Sequence, residues 1–299
     1  MDSHMKGGRT DQAEALRRLV ARRTPNVELR TEVERLTPAG FRIVITSGKG
    51  GVGKSVTSSN LAVCFGEMGL RTLLVDADLM FPNLDLYFGL RPRFTLVEAV
   101  QTRSPLNEAC LQVGENLWLL PSRAVEAQYM GLESDLLRRL RRFLDSNTRF
   151  DMLIVDTASG LNGRVRDLAS GADEVWVVTT PGSAAVADTY AMAKYLLLTD
   201  PDVPLRLLLN GVKNGREAED LHRRFSEVTR HFLRQDIPLA GWIPSDKKME
   251  AALEMEVPVC VGFPKAASSK AYRELAKHTA DRLMAQAVRV VSVSQASAG

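Results

Sequence analysis

The chain contains the stretch Gly48-Lys49-Gly50-Gly51-Val52-Gly53-Lys54-Ser55, which fits the pattern G-x-x-x-x-G-K-[ST]. It follows a short apolar run, Ile43–Thr46, and precedes a helical pattern over Ser58–Met68. Glycines in such a turn let backbone N–H groups close around phosphates at a helix N-terminus, while the lysine reaches the β- and γ-phosphates and the hydroxyl ligates Mg²⁺. The stretch therefore predicts a nucleotide phosphate-binding loop that uses Lys54 and Ser55.

Further short runs rich in apolar and β-branched residues alternate with longer helical patterns after Phe41. Several are almost continuously apolar, which is typical of strands buried on both faces, and the intervening lengths suit crossover helices. The pattern predicts an α/β fold with a doubly wound, mostly parallel sheet of about seven to eight strands flanked by helices. Besides Ile43–Thr46, the predicted strands are Thr72–Val75, Leu117–Leu120, Met152–Val155, Glu174–Thr179, Leu205–Leu209 and Leu239–Ile243.

Length and composition predict one large domain with appendages. The 299 residues are 45% hydrophobic and 25% charged, close to the average of folded proteins. We expect an N-terminal extension over residues 1–40, a domain built around the phosphate loop over 41–281 and a C-terminal tail over 282–299. Ser3-His4-Met5 has the form of an expression-vector remnant, which makes Met5 the candidate native start.

The net charge of +3 arises near the N-terminus. Residues 1–30 contain seven basic and four acidic side chains, so the remaining 269 residues sum to zero. A neutral body disfavours a nucleic-acid partner, since such a partner requires a basic surface. We interpret the excess as a partner-binding appendage.

The three cysteines, Cys64, Cys110 and Cys260, are far apart in sequence. They indicate neither a disulfide framework nor paired ligands for an iron–sulfur cluster. With no secretory signal and no apolar run near 18 residues, a cytoplasmic location is expected.

Carboxylates follow two of the predicted strands. Asp156 ends the run Met152–Val155, where a Walker B aspartate supports Mg²⁺, although without the phosphate loop a helix cap would be an equal interpretation. Asp76 and Asp78 follow another run, at the strand edge where α/β sheets bind ligands. A carboxylate there can orient a water molecule near the γ-phosphate.

Lys49, the second residue of the glycine-rich stretch, makes that stretch resemble the deviant Walker A loop of the MinD/ParA class of ATPases. The resemblance covers about Phe41–Met284. It implies a homodimer that sandwiches ATP, with Lys49 reaching the partner's nucleotide. Val56 departs from the pattern, since many relatives carry a polar residue there.

The same resemblance assigns the other site residues. It implies that Asp78 positions the hydrolytic water, that Ser55, Asp76 and Asp156 support Mg²⁺, and that Asn210 with the loop Pro244-Ser245-Asp246 holds adenine. Catalysis is expected from Lys49, Lys54 and Asp78. The implied ATP contacts are Gly48, Lys49, Gly50, Gly51, Val52, Gly53, Lys54, Ser55, Val56, Asn210, Pro244 and Asp246.

The segment Asp11-Gln12-Ala13-x-x-Leu16-Arg17 lies ahead of the phosphate loop in a short amphipathic helical pattern. It resembles the activation helix of the FlhG/FleN (YlxH) family of flagellar-number regulators. In that family the helix stimulates GTP hydrolysis by the GTPase FlhF, which implies that Gln12 assists catalysis while Leu16 and Arg17 anchor the helix. Flagellar switch proteins or a flagellar transcription activator are further implied partners.

Two other functions stay open. A MinD-type division-site ATPase is the main alternative, although such proteins usually begin near their first strand. An alternative of another class is a regulatory binding module whose main output is activation of a partner. ParA-type DNA segregation and iron–sulfur carriers are disfavoured by the neutral body and the unpaired cysteines.

Two surface features have competing interpretations. The first is an arginine-rich helix face, either simply solvated or an anionic-partner surface, at Arg138, Arg139, Arg141 and Arg142. The second is a terminal apolar stripe, with Arg282 and Arg289 beside it, which is either a core-packing helix or a weak interfacial helix on the inner face of the cell membrane. This stripe consists of Leu283, Met284, Ala287, Val288 and Val291.

Overall fold

A computed structural model describes residues 40–124 and 133–296. The predicted N-terminal helix, with Asp11, Gln12, Ala13, Leu16 and Arg17, lies outside these residues. In the described ranges, no helix is long and apolar enough to cross a membrane.

An eight-stranded sheet forms the centre of the fold, in the order β3-β4-β2-β5-β1-β6-β7-β8. All neighbouring strands are parallel except β3 and β4. This confirms the predicted doubly wound sheet. The strands are β1 (Phe41–Ser47), β2 (Thr72–Ala77), β3 (Leu111–Gly114), β4 (Leu117–Leu120), β5 (Met152–Ser159), β6 (Glu174–Thr179), β7 (Leu205–Val212) and β8 (Leu239–Pro244).

Helices cover both faces of the sheet. Because side chains alternate along a strand, Ile43 and Ile45 of β1 join one apolar core while Val44 joins the other. The first core lies mainly under α1 (Lys54–Glu67), α7 (Lys248–Glu254), α8 (Val259–Gly262) and α9 (Ala267–Ala296). The second lies mainly under α2 (Leu96–Gln101), α3 (Glu133–Asp145), α4 (Gly163–Ala169), α5 (Ser183–Thr199) and α6 (Gly215–Leu233).

The helix that follows the phosphate loop begins earlier than predicted. The sequence pattern started it at Ser58, whereas α1 begins at Lys54, directly after the phosphate loop. The apolar periodicity starts only at Leu61, since the first two turns carry mostly small polar side chains that are nevertheless buried. Two of these polar residues, Ser55 and Ser58, contact Asp156 of β5.

The C-terminal helix α9 is fastened to the sheet and to α1. Arg273 forms a two-pronged ion pair with Glu67 of α1, at 2.7 and 3.0 Å. Arg282 donates to both oxygens of Glu174 on β6, at 2.7 and 2.8 Å. The Glu174 carboxylate is buried and also accepts a hydrogen bond from Trp176 Nε1 at 2.7 Å.

The predicted terminal apolar stripe therefore packs largely inside. Leu283, Met284 and Ala287 are buried in the first core, while Val288 is 43% exposed. Arg282, expected beside a lipid-facing stripe, is held by a buried carboxylate. The core-packing interpretation describes this part of α9, which runs without a break across the expected boundary at residue 282.

The arginines of α3 differ from one another. Arg139 donates to the main-chain carbonyls of Ala99, Val100 and Ser104 at the end of α2 and just beyond it. Arg138 and Arg141 are exposed and pair with acids of their own helix. Arg139 thus joins α3 to α2. For Arg138 and Arg141, the interpretation as a solvated helix face fits.

Candidate nucleotide site

The loop of residues 48–53 joins β1 to α1 in a conformation that requires glycine. Gly53 has φ of +91°, a left-handed conformation that strains other residues. A Cβ at Gly48 would lie only 1.9 Å from the Asp188 carbonyl oxygen, so the backbone passes too close for any side chain. The loop is therefore shaped as a backbone cradle at the N-terminus of α1, the arrangement that binds phosphate.

The two lysines of the loop occupy different environments. Lys54 is 9% exposed and its charge acts on Asp156. Lys49 is exposed to solvent, and its carbonyl accepts a hydrogen bond from Ser47 Oγ at 2.6 Å. The buried lysine can serve the phosphates within the chain, whereas the exposed one is accessible to solvent.

The predicted Mg²⁺ residues Ser55 and Asp156 are in direct contact. Ser55 Oγ donates to Asp156 Oδ2 at 2.7 Å, and Ser58 Oγ lies 2.8 Å from Asp156 Oδ1. Burial raises the pKa of the Asp156 carboxyl to about 6, although the Ser55 hydrogen bond and the Lys54 charge act to lower it. A buried carboxylate that is this poorly solvated is a natural cation ligand.

Asp76 lies beside Asp156, because their Cα atoms are partners in the β2–β5 register. Its carboxylate accepts hydrogen bonds from the N–H groups of Asp78, Asn83 and Leu84, at 3.0 to 3.2 Å. Burial raises its pKa well above the usual range, and the neighbouring Asp156 charge adds to this effect. Asp76 thus organises the loop that follows β2 as well as standing next to the candidate metal site.

Asp78 is the half-buried carboxylate of this loop. Its Oδ1 accepts hydrogen bonds from the N–H groups of Met80 and Phe81, at 3.1 and 3.0 Å. Met80 and Phe81 are themselves 51% and 77% exposed. Asp78 therefore lies at the surface of the site, where water has access.

The residues expected to hold adenine lie at the ends of β7 and β8. Asn210 Nδ2 donates to the Val52 carbonyl of the phosphate loop at 2.8 Å. Pro244 ends β8, and Ser245 N donates to the Val212 carbonyl at 2.8 Å. The structure therefore brings Asn210 and the following loop to the same sheet edge as the phosphate loop.

Asp246 is engaged by the protein itself. Ser268 N and Oγ both donate to its Oδ2 at 3.0 Å, and Lys248 N donates to Oδ1 at 2.9 Å. Burial alone would raise the pKa of this carboxyl, but the hydrogen bonds from Ser268 and Lys248 lower it. Its carboxylate joins the start of α7 to the start of α9.

The donor set fits Mg²⁺ bound together with a nucleotide. Mg²⁺ prefers oxygen ligands and keeps several waters and phosphate oxygens in its shell, so the Ser55 hydroxyl and the Asp156 carboxylate suffice as protein ligands. No cluster of three or more His, Cys, Asp or Glu side chains within the described residues could hold a metal alone. When bound, the ion would neutralise charge that develops on the phosphates. The main chain of Val56, beside Ser55, keeps its N–H at the helix start despite the apolar side chain.

Sequence analysis did not single out Ser58. It lies one turn after Ser55 on α1 and is fully buried against Asp156. The spacing could have indicated this residue, because Ser55 and Ser58 are three positions apart and such residues share a helix face. A second unanticipated residue is Ser268, whose contact with Asp246 spans 22 positions and has no local signature.

Two cysteines that are distant in sequence are neighbours in space. The sulfur atoms of Cys64 and Cys260 are 3.5 Å apart, and both side chains are buried. Burial raises the pKa of the Cys64 thiol, which disfavours the thiolate that binds iron. The pair is part of the contact between α1 and α8.

Comparison with protein families gives an independent result. The ParA family model, described as NUBPL iron-transfer P-loop NTPase, matches residues 40–280. The antiactivator FleN of Pseudomonas aeruginosa is 31% identical over 237 residues, which cover 79% of this chain and 84% of FleN. The septum site-determining protein MinD of Bacillus subtilis is 32% identical over 243 residues, covering 80% and 88% of the two chains.

A solved structure has the same fold. The septum site-determining protein MinD of Pyrococcus horikoshii, complexed with Mg-ADP, superposes with a TM-score of 0.65 at 26% identity. The match covers 80% of this chain and 96% of that protein.

Proposed function

This chain belongs to the MinD/ParA class of P-loop ATPases, and we propose that it is an ATP-dependent dimerisation switch that controls flagellar number or placement. The observation that carries the ATPase part is the contact of Ser55 with Asp156 beside buried Lys54. It assembles the Mg²⁺ and phosphate ligands in one chain. Asp78, at the exposed side of the site, then orients the attacking water.

The switch is proposed to close when two copies bind ATP. Exposed Lys49 supports this, since its charge is free to reach a partner's phosphates while Lys54 serves its own. Hydrolysis removes the γ-phosphate that holds both lysines and reopens the dimer.

Light scattering with Mg²⁺ and a slowly hydrolysed ATP analogue tests the switch. The wild type should form a dimer, and Lys49→Ala should bind the analogue but remain monomeric. Lys247→Ala, a change at another exposed lysine, is the matched control and should dimerise normally. Dimers of Lys49→Ala as stable as those of the wild type would refute the switch.

The flagellar assignment is supported by similarity to FleN and by the Asp11-Gln12-Ala13-x-x-Leu16-Arg17 segment. In this proposal the segment stimulates the GTPase FlhF, with Gln12 assisting catalysis. A peptide spanning residues 10–23 should raise GTP turnover by purified FlhF, and the Gln12→Ala peptide should not.

A division-site ATPase is the second candidate, favoured by comparable similarity to MinD. Equal stimulation of FlhF by both peptides, or none, would favour it over the flagellar role. Stimulation by the full chain that is insensitive to nucleotide would instead favour a binding module whose ATPase is incidental.

We also propose a cytoplasmic location with reversible attachment to the inner face of the cell membrane. Leu283, Met284 and Ala287 pack in the core. Such attachment therefore requires either that the last turns of α9 bind the membrane or that α9 is released from the sheet. Flagellar switch proteins or a flagellar transcription activator are proposed as additional partners.

A further inference from the structure

The Asn210 side chain packs directly on the phosphate loop. It belongs to β7, two strands away from β1 in the sheet, yet its Nδ2 donates to the Val52 carbonyl at 2.8 Å. A Cβ on Gly53 would come within 2.2 Å of the same nitrogen. The absence of a side chain at residue 53 is therefore what admits the amide.

This contact fixes the peptide between Val52 and Gly53. The carbonyl and the N–H of a trans peptide point in opposite directions, and the described residues contain no cis peptide. When Asn210 holds the Val52 carbonyl on one side, the Gly53 N–H is turned to the other. Backbone N–H groups of this loop are the donors that a phosphate requires.

We infer that Asn210 is a positioning residue for the phosphate chain, acting through the Val52–Gly53 peptide. This inference rests on the proposed binding of Mg-ATP and differs from a role in reading adenine. A residue that contacts the base contributes to affinity only for nucleotides that carry that base. A residue that positions the loop contributes to affinity for any ligand with the same phosphates.

Three ligands separate the two roles: ATP, GTP and inorganic tripolyphosphate, each with Mg²⁺ and measured by calorimetry. Asn210→Ala should weaken all three by a similar factor of about ten, the effect of one lost hydrogen bond. Asn210→Asp should weaken them further, because an isosteric carboxylate would place an acceptor against the Val52 carbonyl. The ratio of ATP to GTP affinity should not change in either variant.

Asn214→Ala is the matched control. Asn214 is four residues along the chain, and its side chain caps α6 through a 3.0 Å bond from Glu217 N. Its removal should lower the melting temperature but leave the three affinities unchanged. Parallel losses in both alanine variants would mean that Asn210 acts only through general stability, which would overturn the inference.

A selective result would also overturn it. If Asn210→Ala weakens ATP binding but leaves tripolyphosphate binding intact, Asn210 reads the base. If the wild type binds tripolyphosphate but neither nucleotide, the proposed function fails, and the positioning role is then judged on tripolyphosphate alone.

Discussion

In the phosphate half of the site, residues 48–56 with Asp76 and Asp156, buried polar side chains face one another across the sheet edge. In the half where the base is expected, residues 244–246 (the base half), the Asp246 carboxylate bonds to the main chain at the starts of α7 and α9. The phosphate half holds charged groups where water solvates them poorly. A bound ligand can lower the free-energy cost of burying those charges. The polar groups of the base half already have hydrogen-bond partners in the protein, so a ligand gains less binding free energy there.

The largest contrast is expected from Asp156. Because burial raises its pKa to about 6, the protonated carboxyl contributes stability to the free protein at low pH, and this stability is lost as pH rises from the unfolded pKa of about 4 through the folded pKa of about 6. For a shift of about two pKa units the loss approaches about 3 kcal/mol. Urea unfolding without Mg²⁺ or nucleotide should show the wild type losing stability relative to Asp156→Asn between about pH 4 and about pH 6.5. If the free energy of unfolding of the two proteins changed with pH in parallel, the claim that burial raises the pKa of Asp156 would be contradicted.

Lys54→Ala should have the next largest effect. The lysine is buried beside Asp156, so its loss removes the charge that meets the phosphates and leaves the carboxylate unbalanced. Calorimetry should show Mg-ATP affinity falling about 100-fold, equivalent to one strong charged hydrogen bond. Lys247→Ala, at an exposed lysine that directly follows the base half, serves as control and should bind normally. Equal losses in the two variants would erase the distinction between the halves.

Asp246→Ala should have the smallest effect. It removes the carboxylate that caps the starts of α7 and α9, which should reduce the free energy of unfolding by about 1 kcal/mol. Mg-ATP affinity should fall by less than tenfold, since the carboxylate is already occupied. Ser268→Ala removes only one of the side-chain donors to the Asp246 carboxylate. It should therefore lower the melting temperature less than Asp246→Ala does. A loss of affinity as large as that of Lys54→Ala would show that Asp246 contacts the ligand directly.

Sequence periodicity predicted seven strands because those strands are almost wholly apolar. It missed β3, whose four residues, Leu111–Gly114, include exposed Gln112 and a register irregularity against β4. As a short antiparallel edge strand it is buried on one side only, so it carries no continuous apolar run. The start of α1 was missed for a related reason, since Thr57, Ser58 and Ser59 are buried and hydrogen-bond to other protein groups rather than to water.

The shape of the phosphate loop was predictable because backbone shape is encoded locally by glycine spacing. The side-chain partners of Asn210 and Asp246 were not predictable in this way. The contacts of Asn210 with Val52 and of Ser268 with Asp246 join segments 158 and 22 residues apart, and only the fold brings them together. The proximity of Cys64 to Cys260 was hidden for the same reason.

Asp78 allows ATP binding and ATP hydrolysis to be tested separately, because it lies at the site but outside the buried phosphate half. The most direct measurement is phosphate release by Asp78→Ala, together with calorimetry and light scattering in Mg-ATP. We predict near wild-type affinity, turnover lower by at least about 100-fold, as for loss of a group that activates water, and a dimer that persists. Wild-type turnover in a monomeric Asp78→Ala protein would contradict the account of this chain as a switch operated by ATP hydrolysis.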